Sequence, residues 1–337
     1  MISPQTKLSE VGEKALIRDF IKPFFNVADD PAGVGDDCAM VSFGDEVALL
    51  STDRVPSDLT AFKLGILDFH GLGDYLARLN LSDIAACGGR AIGLLLNLGL
   101  PNDIAYDDVR ALCCGFGCCA DRNGVTVLGG DITSACELSI SATSIGKVLR
   151  GQVLTRRGSI PGDSVFISRP LGLTPAAFHV FLGKLESRLS IDSLALLRRQ
   201  FTDLEPMLKL GQALGASGQC GACMDNTDGI GQSLSELSDA GKCAFVIHGS
   251  MLQIPPVVES ISHIIGMSPV ELIFNGGADF SLVGTLRGEW SSERATTHFG
   301  HQLEIIGHVE AGQGVWLDDR QRKPLAFRGW NYFSTQL

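Results

Sequence analysis

The sequence has no apolar stretch long enough to cross a bilayer. The longest, AIGLLLNLGL at 91–100, is broken by Asn97 and falls well short of the roughly 20 residues a spanning helix needs. The opening residues, MISPQTKLSEVGEK, hold no basic segment followed by an apolar core, so a cytoplasmic location is the expectation. Positive charge is in deficit, with 27 Lys and Arg against 38 Asp and Glu, a formal net charge of −11. That balance excludes a general basic surface for nucleic acid or an anionic membrane, so an anionic ligand must be met by local groups or by metal ions. No GxxxxGK[ST] loop is present, and phosphate is not cradled in the common NTPase manner. Short-period repeats and low-complexity tracts are also missing.

Cysteine is not scarce: there are ten, but none in residues 1–34. Four fall in CCGFGCC (Cys113, Cys114, Cys118 and Cys119), with Cys114 and Cys118 on one helical face at i,i+4. Cys220 and Cys223 form a CxxC, yet neither a second CxxC nor a histidine pair lies at zinc spacing nearby. In a reducing compartment these are expected to be free thiols packed as small apolar residues.

At 337 residues, 45% hydrophobic and 19% charged, the chain is globular and long enough for two domains. The best boundary is RRGSIPGDSVFIS at 156–168, where Gly158, Pro161 and Gly162 precede a new apolar strand. The expected division is 1–150 and 151–337. VALLSTD (47–53), VTVLGGD (125–131) and ELSISATSIGKVL (137–149) read as strands, and 72–88 and 107–123 as helices. Beyond the boundary come helices at 173–186, 191–202 and 205–217, a strand at 221–225, a helix opening at DGIGQSLSELSDAG, a strand at 243–248 and another in FNGGADFSLVGTL. This intermixing predicts an α/β or α+β architecture in both halves.

One device recurs: an acid beside Gly, Ser or Thr, next to an apolar strand. It appears as GVGDDCA (Asp36, Asp37), LLSTD (Asp53), NLSD (Asp83), LGGD (Asp131) and MDNTD (Asp225, Asp228). Each is expected in a turn, where small neighbours let a ligand approach the backbone. Taken singly, such an acid is as readily a cap or turn residue. Several brought together would repel one another unless cations sat between them, and oxygen-only ligation suits Mg²⁺.

Seven elements in order, GVGDDCA, STD, NLSDIAACGG, GGDITSA, TRRGSIPGD, DNTDGI and GGADFSL, resemble the signature of thiamine-monophosphate kinase. That family sits in the ATP-binding superfamily of aminoimidazole ribonucleotide synthetase, selenophosphate synthetase and a hydrogenase-maturation enzyme. The resemblance runs from about residue 12 to the C-terminus. It implies an aminoimidazole ribonucleotide synthetase-like two-domain fold, in which an N-terminal sheet pairs across the twofold of a homodimer and a C-terminal half closes over ATP. It also implies Mg²⁺ held by Asp37, Thr52, Asp53, Asp83, Asp131, Asp225 and Asp228, of which Asp53, Asp131 and Asp228 are also the catalytic candidates. Gly130 and Asp131 would lie at the nucleotide, Arg156 would meet a phosphate, and Thr227 would replace the family's serine as a nucleotide contact. Phosphoryl transfer needs mainly alignment and charge neutralisation, which cations on these acids would supply to a chain of net negative charge.

The acceptor side departs from the family pattern. Ala278 stands where the family's GGEDYEL has glutamate, Thr60 where it has histidine, and Trp330 where it ends in a GYDHF-like tyrosine; Asp279 completes the expected substrate set. Loss of the acid removes a partner for aminopyrimidine donors. The expectation is an ATP- and Mg²⁺-dependent kinase acting on another small acceptor, such as a sugar, nucleoside or specialised metabolite. A genuine thiamine-phosphate kinase and a non-catalytic ATP-binding protein are the alternatives. No nucleic-acid or membrane partner is expected.

Overall fold

The computed structural model describes residues 35–325 apart from 57 and 278, together with 7, 13–17, 24 and 327. Ala278 and Trp330 lie outside the described residues.

Strands rich in β-branched and leucine side chains form two sheets. The first contains β1 (Ala39–Phe43), β2 (Glu46–Val55), β3 (Arg90–Leu100), β4 (Thr126–Ser134) and β5 (Ser139–Leu149), in the order β1-β2-β5-β3-β4. All its pairings are antiparallel except β3 with β4. The second has the order β12-β11-β8-β10-β6-β9-β7. Its strands are β6 (Ser164–Ile167), β7 (Cys220–Asp225), β8 (Ala244–His248), β9 (Leu282–Leu286), β10 (Glu304–Glu310), β11 (Gly314–Asp319) and β12 (Gln321–Pro324). Strand and helix alternate in the mixed α/β manner that the sequence predicts. Among the described residues no helix is long and apolar enough to cross a membrane.

The helix that matters most for the site is α1 (Phe69–Ala86), started by Asp68, whose side chain accepts from Gly71 N at 2.8 Å. Its apolar residues, Leu72, Leu76, Leu81 and Ile84 among them, are buried on several faces. They touch β2, β5 and β7, so α1 lies between the two sheets. Such all-round burial explains why it carries the fully buried Arg78, which is paired with Asp74 at 2.7 Å and donates to the Phe201 and Leu204 carbonyls. A second helix, α2 (Tyr106–Arg122), crosses α1 at close range. Cβ atoms at Gly73 and Gly115 would lie 2.0 and 1.9 Å from the Leu112 and His70 carbonyl oxygens, so only glycine permits this approach.

The outer face of the first sheet is left open. Val41, Phe43, Ile92 and Leu149 are exposed there, and edge strand β4 is exposed along its whole length, Val127, Leu128 and Ile132 included.

Three of the expected turns are absent. Asp53 lies within β2, Asp83 within the last turns of α1, and Asp131 in the middle of β4. In β4 the two glycines do not reverse the chain. They accompany a bulge at Leu128 and let the strand continue beside β3, where a Cβ on Gly130 would meet the Leu96 oxygen at 1.7 Å. Conversely, the strand expected over FNGGADFSLVGTL is confined to β9. Residues 275–277 and 279–281 lie outside β9, and their backbone groups pair elsewhere: Asp279 N donates to Asn226 O, and Asn226 N to Ser281 O.

Candidate active site

Three chain segments meet at the C-terminal end of α1. The segment before β1 brings Asp37, α1 brings Asp83, and the last residue of β7 is Asp225; one carboxylate oxygen from each lies within 4.8 Å of the others. Asp37 and Asp225 are only 8% and 4% exposed. Like charges this close and this dry penalise ionisation. Burial, reinforced by Asp37, pushes Asp225 up to about 8. Burial, then Asp53 and Asp225, raises Asp83 well above the carboxylate range. Asp36, half-buried and next to Asp37, is pushed up to about 7 by desolvation and by that neighbouring charge. Asp37 is likewise raised by burial, against the opposing pull of Arg156.

The supporting residues are partly ones the motif pattern did not reveal. Ser51 donates to Asp83 at 2.5 Å, and Asn80 accepts from Asp53 N at 3.2 Å. Both follow from periodicity once the elements are known, since Ser51 shares a strand face with Asp53 and Asn80 lies about one helical turn before Asp83. Glu236 is the third. It pairs with Arg156, whose other guanidinium nitrogen donates to Asp37 at 2.7 Å and whose backbone N–H donates to Asp36 at 3.1 Å. Burial opposes charge on Arg156, but Asp37 and Glu236 outweigh it and keep the guanidinium protonated.

The loop after β7 supplies Asp228, half-buried, and Thr227, whose hydroxyl donates to Asp225 Oδ1 at 3.2 Å. It is locked against Gly276 by glycine. A Cβ on Gly229, which has φ 102°, would lie 1.9 Å from Gly276 O. The Asp279 carboxylate, buried and raised to about 6 by that burial, accepts from Asn226 Nδ2 at 3.3 Å. It therefore braces the Asp225–Asp228 loop. Next to it Phe280 adopts φ 47°, unusual for an aromatic, and stacks edge-on against Tyr75 with ring centroids 5.2 Å apart.

Other expected residues stand elsewhere. The Thr52 hydroxyl donates to Ala142 O at 3.0 Å on the side of β2 away from Asp53, which leaves its carbonyl as the group to consider. Thr60 opens a short helix, Thr60–Lys63. Asp131 is exposed, and Asp53, Ala142, Leu96 and Gly130 face one another across successive strands. Three strand spacings put Gly130 and Asp131 about 14 Å from Asp53 in the plane of the sheet.

Cations fit the three-acid group. Asp37 Oδ2 and Asp225 Oδ2 are buried without a hydrogen-bond partner, and the donor set is oxygen, as Mg²⁺ prefers.

Residues 35–148 match the family model described as AIR synthase related protein, N-terminal domain. The thiamine-monophosphate kinase of Pyrococcus horikoshii is 28% identical over 331 residues, 96% of this chain and 97% of that protein. That of Aquifex aeolicus is also 28% identical, over 97% of this chain and all of its own length. The solved AaThiL complex with AMPPCP and TMP superposes with a TM-score of 0.83 and 26% identity, covering 98% of this chain and 100% of that one. A solved thiamine-monophosphate kinase of Aquifex aeolicus gives a TM-score of 0.76 at 25% identity, covering 93% of this chain and 98% of that one. By the order of its acids, its two sheets and likeness along nearly its entire length, the chain is similar to thiamine-monophosphate kinases, and its residues 35–148 carry the AIR synthase related N-terminal domain.

Proposed function

We propose that the protein is an ATP- and Mg²⁺-dependent kinase that phosphorylates thiamine phosphate to thiamine diphosphate. The observation that carries this reading is the oxygen-only group of the buried Asp37 and Asp225 and the half-buried Asp83, in a chain that matches thiamine-monophosphate kinases nearly end to end. The complex with AMPPCP and TMP supports both the nucleotide and the acceptor.

In this reading Asp37, Asp53, Asp83, Asp225 and Asp228 hold the cations. Bound Mg²⁺ supplies charge neutralisation at the phosphates. The chain does the rest by positioning. Arg156, kept protonated between Asp37 and Glu236, offers its guanidinium to a phosphate oxygen. Thr227 presents a hydroxyl from the loop that Asp279 and Gly229 make rigid. No buried acid is needed as a proton carrier, because alignment and electrostatics account for most of phosphoryl transfer.

The two sheets act as two domains, 1–150 and 151–337, with the second closing over nucleotide and acceptor. The open face of the first sheet is where two copies pair, and pairing would also cover Asp131 and Gly130 on β4. A cytoplasmic setting suits ten free cysteines.

A different acceptor is the second reading. It rests on Thr60 in a histidine's place and on Ala278 and Trp330; the curated relatives favour thiamine phosphate over it. The deciding measurement is kcat/KM for thiamine phosphate beside a panel of alcohols and phosphate monoesters, with the product identified by mass. Efficient thiamine diphosphate formation, at about 10⁴ M⁻¹ s⁻¹ or above and abolished by EDTA, is expected. A trace rate beside a faster alternative substrate would transfer the assignment to that acceptor.

A further inference from the structure

The thiol pair in CCGFGCC has a third member that sequence spacing could not supply. Cys114 and Cys118 occupy the exposed side of α2 with their sulfurs 4.0 Å apart. His70, in the first turn of α1, brings an imidazole nitrogen within 4.8 Å of both sulfurs, and all three residues are exposed. The approach is set by Gly115, the first glycine of the motif. Any side chain there would strike the His70 backbone, so the glycine that lets the helices touch also delivers the histidine to the cysteines.

We propose that His70, Cys114 and Cys118 form a surface site for a soft metal ion of the zinc class, separate from the carboxylate site. Two thiolates and an imidazole are the donors zinc selects, whereas Mg²⁺ takes oxygen. Tetrahedral Zn–S bonds of roughly 2.3 Å put two sulfurs about 3.8 Å apart. The observed 4.0 Å differs from that by little more than rotamer adjustment. With three protein ligands on an open surface, the fourth position is left to water. Binding releases the thiol protons and fastens the first turn of α1 to α2. Cys113 and Cys136, exposed but outside this group, take no part.

The test uses the full chain, reduced and stripped of metal, titrated with Co²⁺ alone and then with Zn²⁺. One equivalent of Co²⁺ should produce a thiolate-to-cobalt charge-transfer band that one equivalent of Zn²⁺ removes. Cys114→Ser/Cys118→Ser should abolish the band, and His70→Gln should weaken Zn²⁺ binding by about tenfold or more. Cys113→Ser should bind as the parent does, and kinase activity with Mg²⁺ should be unchanged in all of them. Absence of the band in the parent protein overturns the site. So does a band that survives in Cys114→Ser/Cys118→Ser, which would assign the thiolate to Cys87 beside Asp36 and Asp37. If the double variant does not fold, Cys118→Ser and His70→Gln carry the test singly, and parental Zn²⁺ affinity in both overturns it.

Discussion

Asp225 and Asp131 come from the same sequence device, an acid beside small residues at an apolar strand, yet they end in opposite environments. Asp225 ends β7, 4% exposed, facing Asp37 and Asp83 with an oxygen left unpaired. Asp131 sits on an edge strand open to solvent from end to end. The buried acid is held in an electrostatically costly state by its own chain, so its need for a cation is built into the monomer. The exposed acid has no such need until something covers β4.

The largest test of that contrast is neutralisation. Asp225→Asn should lower turnover by about 100-fold or more, since it removes a ligand from the cation site. It should leave the melting temperature of the metal-free protein unchanged or higher at pH 8, because a repulsive charge has gone. Asp131→Asn should also reduce turnover but leave metal-free stability untouched. Equal loss of metal-free stability in both variants would erase the distinction.

A second test concerns the cover over β4. Ile132, 69% exposed, lies on the uncovered edge strand β4, and Phe43, 66% exposed, lies on the open side of a sheet whose other face is packed by α1. In sedimentation equilibrium the parent protein should be a dimer, and Ile132→Asp with Phe43→Asp should shift it to monomer. The same variant should lose turnover by about tenfold if coverage of β4 completes the site. A monomeric parent, or a monomeric variant of full activity, would leave Asp131 without a role that depends on pairing.

The smallest effect is thermal. Acids whose folded-state values are raised keep their protons in the native protein where the unfolded chain has lost them. Their stabilising contribution is therefore present below the ordinary carboxylate range and is lost as pH rises through about 7 for Asp36 and about 8 for Asp225. Metal-free protein should melt at lower temperature at pH 8 than at pH 6. Mg²⁺, which replaces those protons, should restore a few degrees more at pH 8 than at pH 6. The pH-dependent gain should shrink in Asp225→Asn to what Asp36 supplies and persist in full in Asp131→Asn, as scanning calorimetry would show.

The acids themselves were legible from composition and local pattern, because a net charge of −11 leaves an anionic substrate to be met through cations. Most elements could be read the same way. The 107–123 periodicity appears as α2, Tyr106–Arg122, and ELSISATSIGKVL as β5, Ser139–Leu149, since side-chain period reflects which face is buried. The reading of small residues as turns failed at Asp53, Asp83 and Asp131. Gly and Ser beside an acid serve equally for close strand pairing and helix packing, and local sequence does not distinguish a reversal from an approach.

What the sequence alone determined was the inventory: oxygen donors spread along the chain, thiols at helical spacing, and glycines wherever backbones would have to meet. The tertiary structure decided which of these share a site. It put Asp37, Asp83 and Asp225 in one dry group, left Asp131 on an open edge, and set His70 against a cysteine pair forty-odd residues away. Those outcomes depend on how α1 lies between two sheets and under α2, and contacts between segments distant in the chain follow from packing the whole core rather than from any residue's neighbours.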